Sequence, residues 1–514
     1  MKPIRLISGI LTVGFWTLAS RVLGVAREIF ILAYIGPGPV MDAFVAAFRL
    51  PNMFRRFFAE GAFNAAFVPI FSKKYEGEEN PLKFGSDAMN GLAFVLLVIS
   101  ALALIFMPAL VWATAGGFVG DARFDLTVGY GRIVFPYILF ISLAALFSGA
   151  LNATGHFAAA AAAPVLLNIF VIIAMVAGKM LGGEIVEWLI WAIPFAGVAQ
   201  LALVWFAAER AGIRLRPGRP VWTKDMKRLV RVAIPAALAG GVMQVNLLVG
   251  QQVASTFEKA VGWLYAADRL YQLPLGVVGI AVGIVLLPDL SRRLKAQDDA
   301  GARHAFSRAG ELSLALTVPA AVALVVVPFP IVSVLFQRGA TSVADAQAIA
   351  FAVALYGLGL PAFVMQKVLQ PLFFARENTR TPFYYALWCM GVNAVLAIGL
   401  APVLGWYAPA IATTVAAWTM VAQLAWGGRK LGEVARFDAR FRQRILRICL
   451  AAAIMGAILW GTMLALGPLL ERSYWRGLAL VGLIGVGIVS YGIAGQAVGA
   501  FRLSEFRTAF RRKG

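Results

Sequence analysis

Long, continuous apolar runs constrain this chain more than any other feature. Positions 91–113, 158–178, 230–254, 273–287, 312–327, 384–402, 445–466 and 478–500 are each long enough, or nearly so, to cross a bilayer as a helix. Less uniform segments bring the total to about fourteen spans of about 20 residues each. Uninterrupted runs fit helices, because the strands of a membrane barrel would be about ten residues long and would alternate in polarity. With 61% hydrophobic and 14% charged residues, an ordinary soluble protein is excluded. The expectation is an all-α integral membrane protein.

The net charge of +21 is distributed by loop. Basic residues crowd 210–231 (Arg210, Arg214, Arg216, Arg219, Lys224, Lys227, Arg228, Arg231), then 292–308, 429–447 and the tail 502–513. The intervening connections hold almost none: 36–40 has none, 116–127 has only Arg123, and 337–346 has only Arg338. This is a topology signal that places both termini in the cytoplasm, with an even number of spans. The basic face is expected to touch anionic membrane lipids and not nucleic acid. The start, Met1-Lys2-Pro3-Ile4-Arg5 before an apolar run, has the outline of a signal peptide. Its helical pattern continues through Arg21 to Tyr34, so a retained first span is expected. Cys389 and Cys449 lie in separate apolar runs without a CxxC neighbour, so no disulfide or metal site is expected. His156 and His304 fall in short polar connections and read as surface residues.

A weak internal repeat organises the chain. Val68-Pro69-Ile70-Phe71-Ser72-Lys73-Lys74 resembles Leu287-Pro288-Asp289-Leu290-Ser291-Arg292-Arg293, an offset of 219. Pro136, Ala150, Thr154 and Asn168 recur as Pro361, Ala375, Thr379 and Asn393, an offset of 225. An even number of spans between equivalent positions makes the copies parallel, related by a pseudo-two-fold axis along the membrane normal. The expected organisation is a six-helix lobe over 1–222, a second over 223–430, and a C-terminal helix pair with a basic tail over 431–514. Two pseudo-symmetric lobes around a central cavity fit alternating access. Prolines at membrane depth (Pro51, Pro108, Pro136, Pro164, Pro194, Pro235, Pro274, Pro319, Pro361, Pro371) are expected to kink spans where they sit.

Six arginines lie where a membrane protein can least accommodate them: Arg21, Arg27, Arg49, Arg55, Arg56 and Arg269. A charge at bilayer depth costs roughly 2.5–3.5 kcal/mol on insertion scales and usually faces a wet cavity or a partner. In the second span Asn52, Arg56, Glu60 and Asn64 follow at intervals of four and form one stripe, flanked by Arg49 and Arg55. Asp42 lies seven residues before Arg49 on the same side. In the first span Ser20 aligns with Arg27, and Arg21 with Glu28. The planar guanidinium fork donates paired hydrogen bonds to two oxygens and never loses its charge, so several forks around one point suit a diphosphate. Asp42, Glu60 and Asp268 can hold those arginines or pair with them in an empty cavity. The competing reading, strongest for Arg49, Arg56, Glu28 and Asp268, is a set of internal ion pairs. An ion pair that breaks on substrate entry is a gate, so the two readings are compatible.

Several of these motifs resemble a known family. Ser20-Arg21-Val22-Leu23-Gly24-Val25-Ala26-Arg27, Asp42-Ala43-Phe44, Leu50-Pro51-Asn52 with Arg55-Arg56, Phe58-Ala59-Glu60-Gly61-Ala62-Phe63 and Tyr265-Ala266-Ala267-Asp268-Arg269-Leu270 are similar to the MurJ/MviN lipid II flippases, in the multidrug/oligosaccharidyl-lipid/polysaccharide exporter superfamily. The resemblance implies a fourteen-helix flippase of the bacterial inner membrane. It would carry undecaprenyl-diphosphate-linked peptidoglycan precursor (lipid II) from the cytoplasmic to the periplasmic leaflet. It implies that Arg21, Arg27, Arg55 and Arg269 bind the diphosphate, with Ser20 and Asn52 beside them. Asp42, Glu60, Arg56, Arg49, Glu28 and Asp268 are then gating or ion-pair residues. The last two helices, within 445–499, would hold the lipid tail. A functional monomer is expected, with association with cell-wall synthesis proteins left open.

Two departures qualify the resemblance. Some relatives carry an acid three residues after the equivalent of Arg269, where this chain has Gln272. Sodium-coupled relatives use carboxylates in the seventh and eleventh spans, and here 229–257 and 383–402 contain none. Drive by membrane potential or substrate gradient is therefore expected. Two rivals are weighed against the flippase. A drug/cation antiporter of the same superfamily calls for an excess of buried carboxylates, and this set has more arginines than acids. A membrane-embedded glycosyltransferase or ligase using a polyprenyl-linked donor calls for acidic residues on a large outer loop, and no such connection exceeds about fifteen residues. No nucleophile–base constellation and no phosphate-loop motif is present, so the expectation is a transporter without cofactor and not an enzyme.

Overall fold

The computed structural model describes residues 3–55, 62–77, 79–471 and 475–501. Among them the regular elements are α-helices and short 3-10 turns, with no strand. Nine helical stretches among the described residues are long and apolar enough to cross a membrane. One of them, Arg380–Leu431, is 52 residues long and contains two helices. Large apolar side chains point outward, with Met180 79%, Val403 80% and Leu446 73% exposed. In water such surfaces would drive aggregation; in lipid they cost nothing.

The chain divides into two compact units, Met1–Gly262 with Gly339–Thr341, and Trp263–Arg338 with Ser342–Gly514. This boundary is one of packing. The division at 222/223 concerns internal repetition, a separate question.

The first unit holds α1 (Pro3–Tyr34), α2 (Pro39–Arg55), α3 (Ala62–Glu76), α4 (Pro81–Ile105), α5 (Met107–Ala115), α6 (Ala122–Val134), α7 (Tyr137–Ala153), α8 (Ala158–Leu181), α9 (Ile185–Arg210) and α10 (Lys224–Ala254). Prolines account for two interruptions. Pro108 sits at the start of α5 directly after α4, and Pro136 separates α6 from α7. Each lacks the N–H that would continue the preceding helix. Pro51, Pro164 and Pro194 are instead accommodated inside α2, α8 and α9.

The core of this unit grows from one face of α3. Phe63, Phe67 and Phe71 recur every four residues, so their rings stack, with centroids 5.7 and 5.3 Å apart. Phe84 of α4 stacks on Phe67 at 5.7 Å. Each such pair is worth about 0.5–1.5 kcal/mol beyond burial. Phe67 is fully buried, and its truncation to alanine would cost about 3–5 kcal/mol.

The segment 211–223 after α9 is extended and pinned to α4. Arg216 N donates to Ser86 Oγ at 2.9 Å, and Gly218 N to Asn90 Oδ1 at 2.9 Å. Ser86 and Asn90 are four apart and share a helical face. Alternation along the strand-like backbone turns Ile213 and Leu215 inward and leaves Arg214 and Arg216 exposed. Gly85 permits this, since a Cβ there would lie 2.7 Å from Leu215 Cδ2. Thr223 then caps α10, its side chain accepting from Met226 N.

The second unit holds α11 (Ala260–Lys295) from Trp263 onward, α12 (Asp299–Val326), α13 (Pro328–Phe336), α14 (Val343–Phe374), α15 (Arg380–Leu404), α16 (Ala408–Gly428), α17 (Ala439–Glu471) and α18 (Arg476–Ala497). Its centre is α14, which packs between α12 and α16 and buries Leu360, Val364, Val368 and Leu372 completely. Ser342 and Asp345 close a reciprocal capping box at its start, satisfying two backbone N–H groups that a helix end leaves without partners. Pro328 begins α13 one residue after α12 ends.

Both histidines are exposed, as their polar surroundings predict. Cys389 is buried, Cys449 is exposed, and neither is in a disulfide.

Candidate substrate-binding site

Within the first unit, α1 packs along α8, and the Asn168 amide bridges that apolar seam. Arg27 Nη1 donates to Asn168 Oδ1 at 3.0 Å. Asn168 Nδ2 donates to the Ser20 carbonyl oxygen at 3.0 Å. The amide orientation is fixed by chemistry, because guanidinium needs an acceptor and a carbonyl needs a donor. Arg27 also pairs with Glu28, whose side chain is 5% exposed. Helical spacing aligns Glu28 with Arg21, yet the acid takes the neighbouring guanidinium. Arg21 is half-buried on the same helix.

On α2, Arg49, Asn52 and Arg55 are all half-buried. Asn52 Nδ2 donates to the Phe48 carbonyl oxygen at 2.8 Å, one turn earlier in the same helix. Arg56 and Glu60 lie outside the described residues.

Asp42 has a partner that the sequence reading did not assign. Its side chain is fully buried in the first turn of α2. Oδ1 accepts from Gly262 N at 2.8 Å, and Oδ2 faces Arg123 Nη1 at 3.4 Å. Arg123 is also held by Asp121, with Nε to Oδ2 at 2.8 Å, and lies over the Phe118 ring at 4.5 Å. The Arg123 hydrogen bond holds the Asp121 carboxyl below its usual range.

In the second unit, Asp268 and Arg269 are half-buried on α11. Arg269 lies over the Tyr265 ring, 4.6 Å from its centroid, and Gln272 Nε2 donates to Asp268 Oδ2. The amide at position 272 thus supplies Asp268 with a donor that a carboxylate there could not. The same unit carries an apolar groove of about 800 Å³ between α17 and α18, lined by Ile454, Ile458, Val486, Val489, Ile493 and Val498. Such a lining suits hydrocarbon. Its base is held to α12 by charge. Glu311 pairs with Arg308 and Arg444, and Arg308 reaches Asp438 at 2.7 Å. Tyr491 of α18 donates to the Ala315 carbonyl oxygen at 2.7 Å.

A model of the family described as lipid II flippase MurJ matches residues 31–476. This chain belongs to the MurJ family. A probable lipid II flippase MurJ of Rhizobium tropici is 44% identical over 461 residues, covering 88% of this chain and 86% of the relative. A second MurJ relative, from Rhizobium meliloti (strain 1021), is 44% identical over 516 residues, covering 98% and 95%. A solved structure described as lipid II flippase MurJ in an inward closed conformation superposes with a TM-score of 0.79 at 25% identity, over 95% of this chain and 98% of that one. An inward-facing multidrug resistance MATE transporter of the MOP superfamily shares the fold, with a TM-score of 0.67 at 16% identity over 82% of this chain and 96% of that one. MurJ membership and the apolar helices together make this a multi-pass membrane protein.

Two residues in these polar contacts escaped the sequence reading. Asn168 registered only as a repeat marker, although a lone amide inside the apolar run 158–178 is itself a signal. Arg123 registered only as the single cation of its connection. Asp121, two residues before it, was the available hint of a local pair.

Proposed function

We propose that this chain is a flippase that moves lipid II, the undecaprenyl-diphosphate-linked peptidoglycan precursor, from the cytoplasmic to the periplasmic leaflet of the bacterial inner membrane by alternating access. The observation that carries this reading is the MurJ family match over 31–476. In it, Arg21, Arg27, Arg55 and Arg269 bind the diphosphate, with Ser20 and Asn52 beside them. Glu28 occupies Arg27 until substrate phosphate replaces it, so the acid keeps the guanidinium compensated in an empty site. The polar head crosses in a shielded chamber, while the polyprenyl tail stays in hydrocarbon and uses the α17–α18 groove. Both termini lie on the cytoplasmic side with the basic loops, which also contact anionic lipid. Transport of this kind requires no covalent step.

The test is complementation of flippase-depleted cells, scored for labelled lipid II on the outer leaflet. Each charge-assisted contact to phosphate is worth about 1.5–3 kcal/mol, so each alanine substitution at Arg21, Arg27, Arg55 or Arg269 should cut transport by roughly tenfold to a hundredfold. Insertion should be unchanged. Normal rescue by all four variants would remove the site assignment, and failure of the unaltered chain to rescue would remove the function.

A further inference from the structure

In the second unit, Arg440, Arg444 and Arg447 follow one another along the first turns of α17 at spacings of four and three. Two of them are matched by an acid. Glu311 of α12 is buried, pairs with Arg444 and takes Arg440 at 3.6 Å. Arg447 is exposed, and among the described residues no carboxylate pairs with it. Its polar contact there is from Nη1 to the Gly499 carbonyl oxygen at 3.3 Å.

That contact sets Arg447 at one end of the groove between α17 and α18. Gly499 directly follows Val498, which lines the groove. On α17, Arg447 precedes the lining residues Ile454 and Ile458 by seven and eleven residues, close to two and three turns. All three therefore share one face, with Arg447 about 10.5 Å along the helix from Ile454. The groove is also displaced toward this end. On α18 its lining starts at Gly485, nine residues or about 13.5 Å in from Arg476, and runs to Val498 at the helix end. The basic segment 429–447 marks that end as the cytoplasmic one.

A cation at the negative end of a helix is favourable in itself, so capping of α18 is the simplest role for Arg447. However, α18 closes without it. Gly499, at φ 71°, donates its N–H to the Gln496 carbonyl oxygen at 3.2 Å, and Ala500 N donates to that of Gly495 at 2.7 Å. The contact with Gly499 uses one of the five N–H donors of the guanidinium. The remaining donors suit two phosphate oxygens at headgroup depth. An apolar trough that ends at such a cation fits an amphiphile with an anionic head. One trough of about 800 Å³ seats one chain, whereas a glycerophospholipid would leave its second chain outside.

We propose that Arg447 binds the phosphate of a single-chain polyprenyl diphosphate lipid in the inner leaflet, with the tail in the α17–α18 groove, as a loading site that holds the substrate before its head enters the interior. Arg440 and Arg444, neutralised by Glu311, fix the end of α17 and leave the third cation to the ligand.

The inference rests on the flippase reading, but its test reads binding and not transport. The full chain is placed in nanodiscs of phosphatidylcholine with undecaprenyl diphosphate that carries a diazirine on the isoprene unit next to the phosphates. After irradiation, adducts on α17 and α18 are quantified by mass spectrometry. Undecaprenol with the same diazirine, which has the tail and no phosphate, is the control. With the diphosphate probe, Arg447→Gln should cut the adducts about tenfold, and Arg447→Lys, which keeps the charge without the fork, should cut them less. Neither variant should change labelling by undecaprenol. An equal fall with both probes makes Arg447 a strut for α18 and overturns the site, as does diphosphate labelling that Arg447→Gln leaves intact. Equimolar phosphatidylglycerol or inorganic pyrophosphate should not displace the probe. Displacement by the first assigns the site to bulk anionic lipid, and by the second to free phosphate, and either overturns the proposal. These failures remove the loading site alone, whereas failure of the unaltered chain to rescue flippase-depleted cells removes the flippase.

Discussion

Asn168 accepts a hydrogen bond from Arg27 across the seam between two helices, 141 residues apart in the chain. The amide returns a hydrogen bond to the backbone of α1, so it orients the guanidinium against its own helix. Replacing Asn168 by alanine should lower outer-leaflet lipid II in the complementation assay by roughly tenfold, the value of one charge-assisted hydrogen bond. Protein level should hold. Asn168→Asp should do worse than alanine, because its carboxylate would face the Ser20 carbonyl oxygen and bring a second acid beside Glu28.

Arginine and lysine should not be interchangeable at position 27. The fork engages Asn168 through one nitrogen and Glu28 through another. An ammonium is a point charge without that planar spread. Arg27→Lys is expected to insert normally but to retain little transport, measured as the rate of labelled lipid II appearance in proteoliposomes.

Gln272 offers a test of local charge on α11. Gln272→Glu would place a second carboxylate one turn from Asp268 in place of a donor. Like charges four residues apart cost about 0.2–0.5 kcal/mol on an exposed helix, and more where solvent is scarce. The thermal unfolding midpoint in detergent should fall below that of Gln272→Ala. A higher midpoint for the glutamate variant would contradict this reading.

The groove between α17 and α18 can be filled without disturbing its walls. A Cβ on Gly485 meets nothing within 4 Å, so that position opens into the groove space. Gly485→Phe should leave the unfolding midpoint nearly unchanged and slow transport. If transport is untouched while the groove is blocked, the tail does not use it.

Acid should weaken the tie between α12 and α17. Burial pushes the Asp438 carboxyl upward, but the Phe441 N–H and the Arg308 guanidinium outweigh it and hold the group below its usual range. A depressed carboxyl contributes stability above its unfolded value of about 3.9 and loses that contribution as pH falls through the lower folded value. Arg308→Gln should therefore lower the unfolding midpoint at pH 7, with the difference between the two proteins narrowing below about pH 4. A gap that stays constant down to pH 3 would assign the loss to packing.

The spans were legible because continuous apolar runs leave helices as the only common solution in a bilayer. Pro108 and Pro136 marked true helix breaks, whereas Pro51, Pro164 and Pro194 are absorbed within helices. A sequence shows that a proline removes a hydrogen bond, but not whether neighbours compensate. Periodicity aligned Ser20 with Arg27 on α1, and the Asn168 amide bonds the Arg27 side chain and the Ser20 backbone carbonyl. It could not identify Asn168, because helical spacing fixes neighbours within one helix and is silent about the facing one. The same limit hid the pairing of Asp42 with Arg123, 81 positions away.

The segment pinned to α4 by Ser86 and Asn90 has a practical consequence. The stretch between α9 and α10 looks, by its charge and its two prolines, like slack rope on which a tag or cleavage sequence could hang. It is instead seated, with Leu215 pressed into the notch at Gly85. An insertion at 214–217 would unseat it and strip cover from the phenylalanine stack beneath, whereas the same insertion at Gly183, beyond the end of α8, would disturb little.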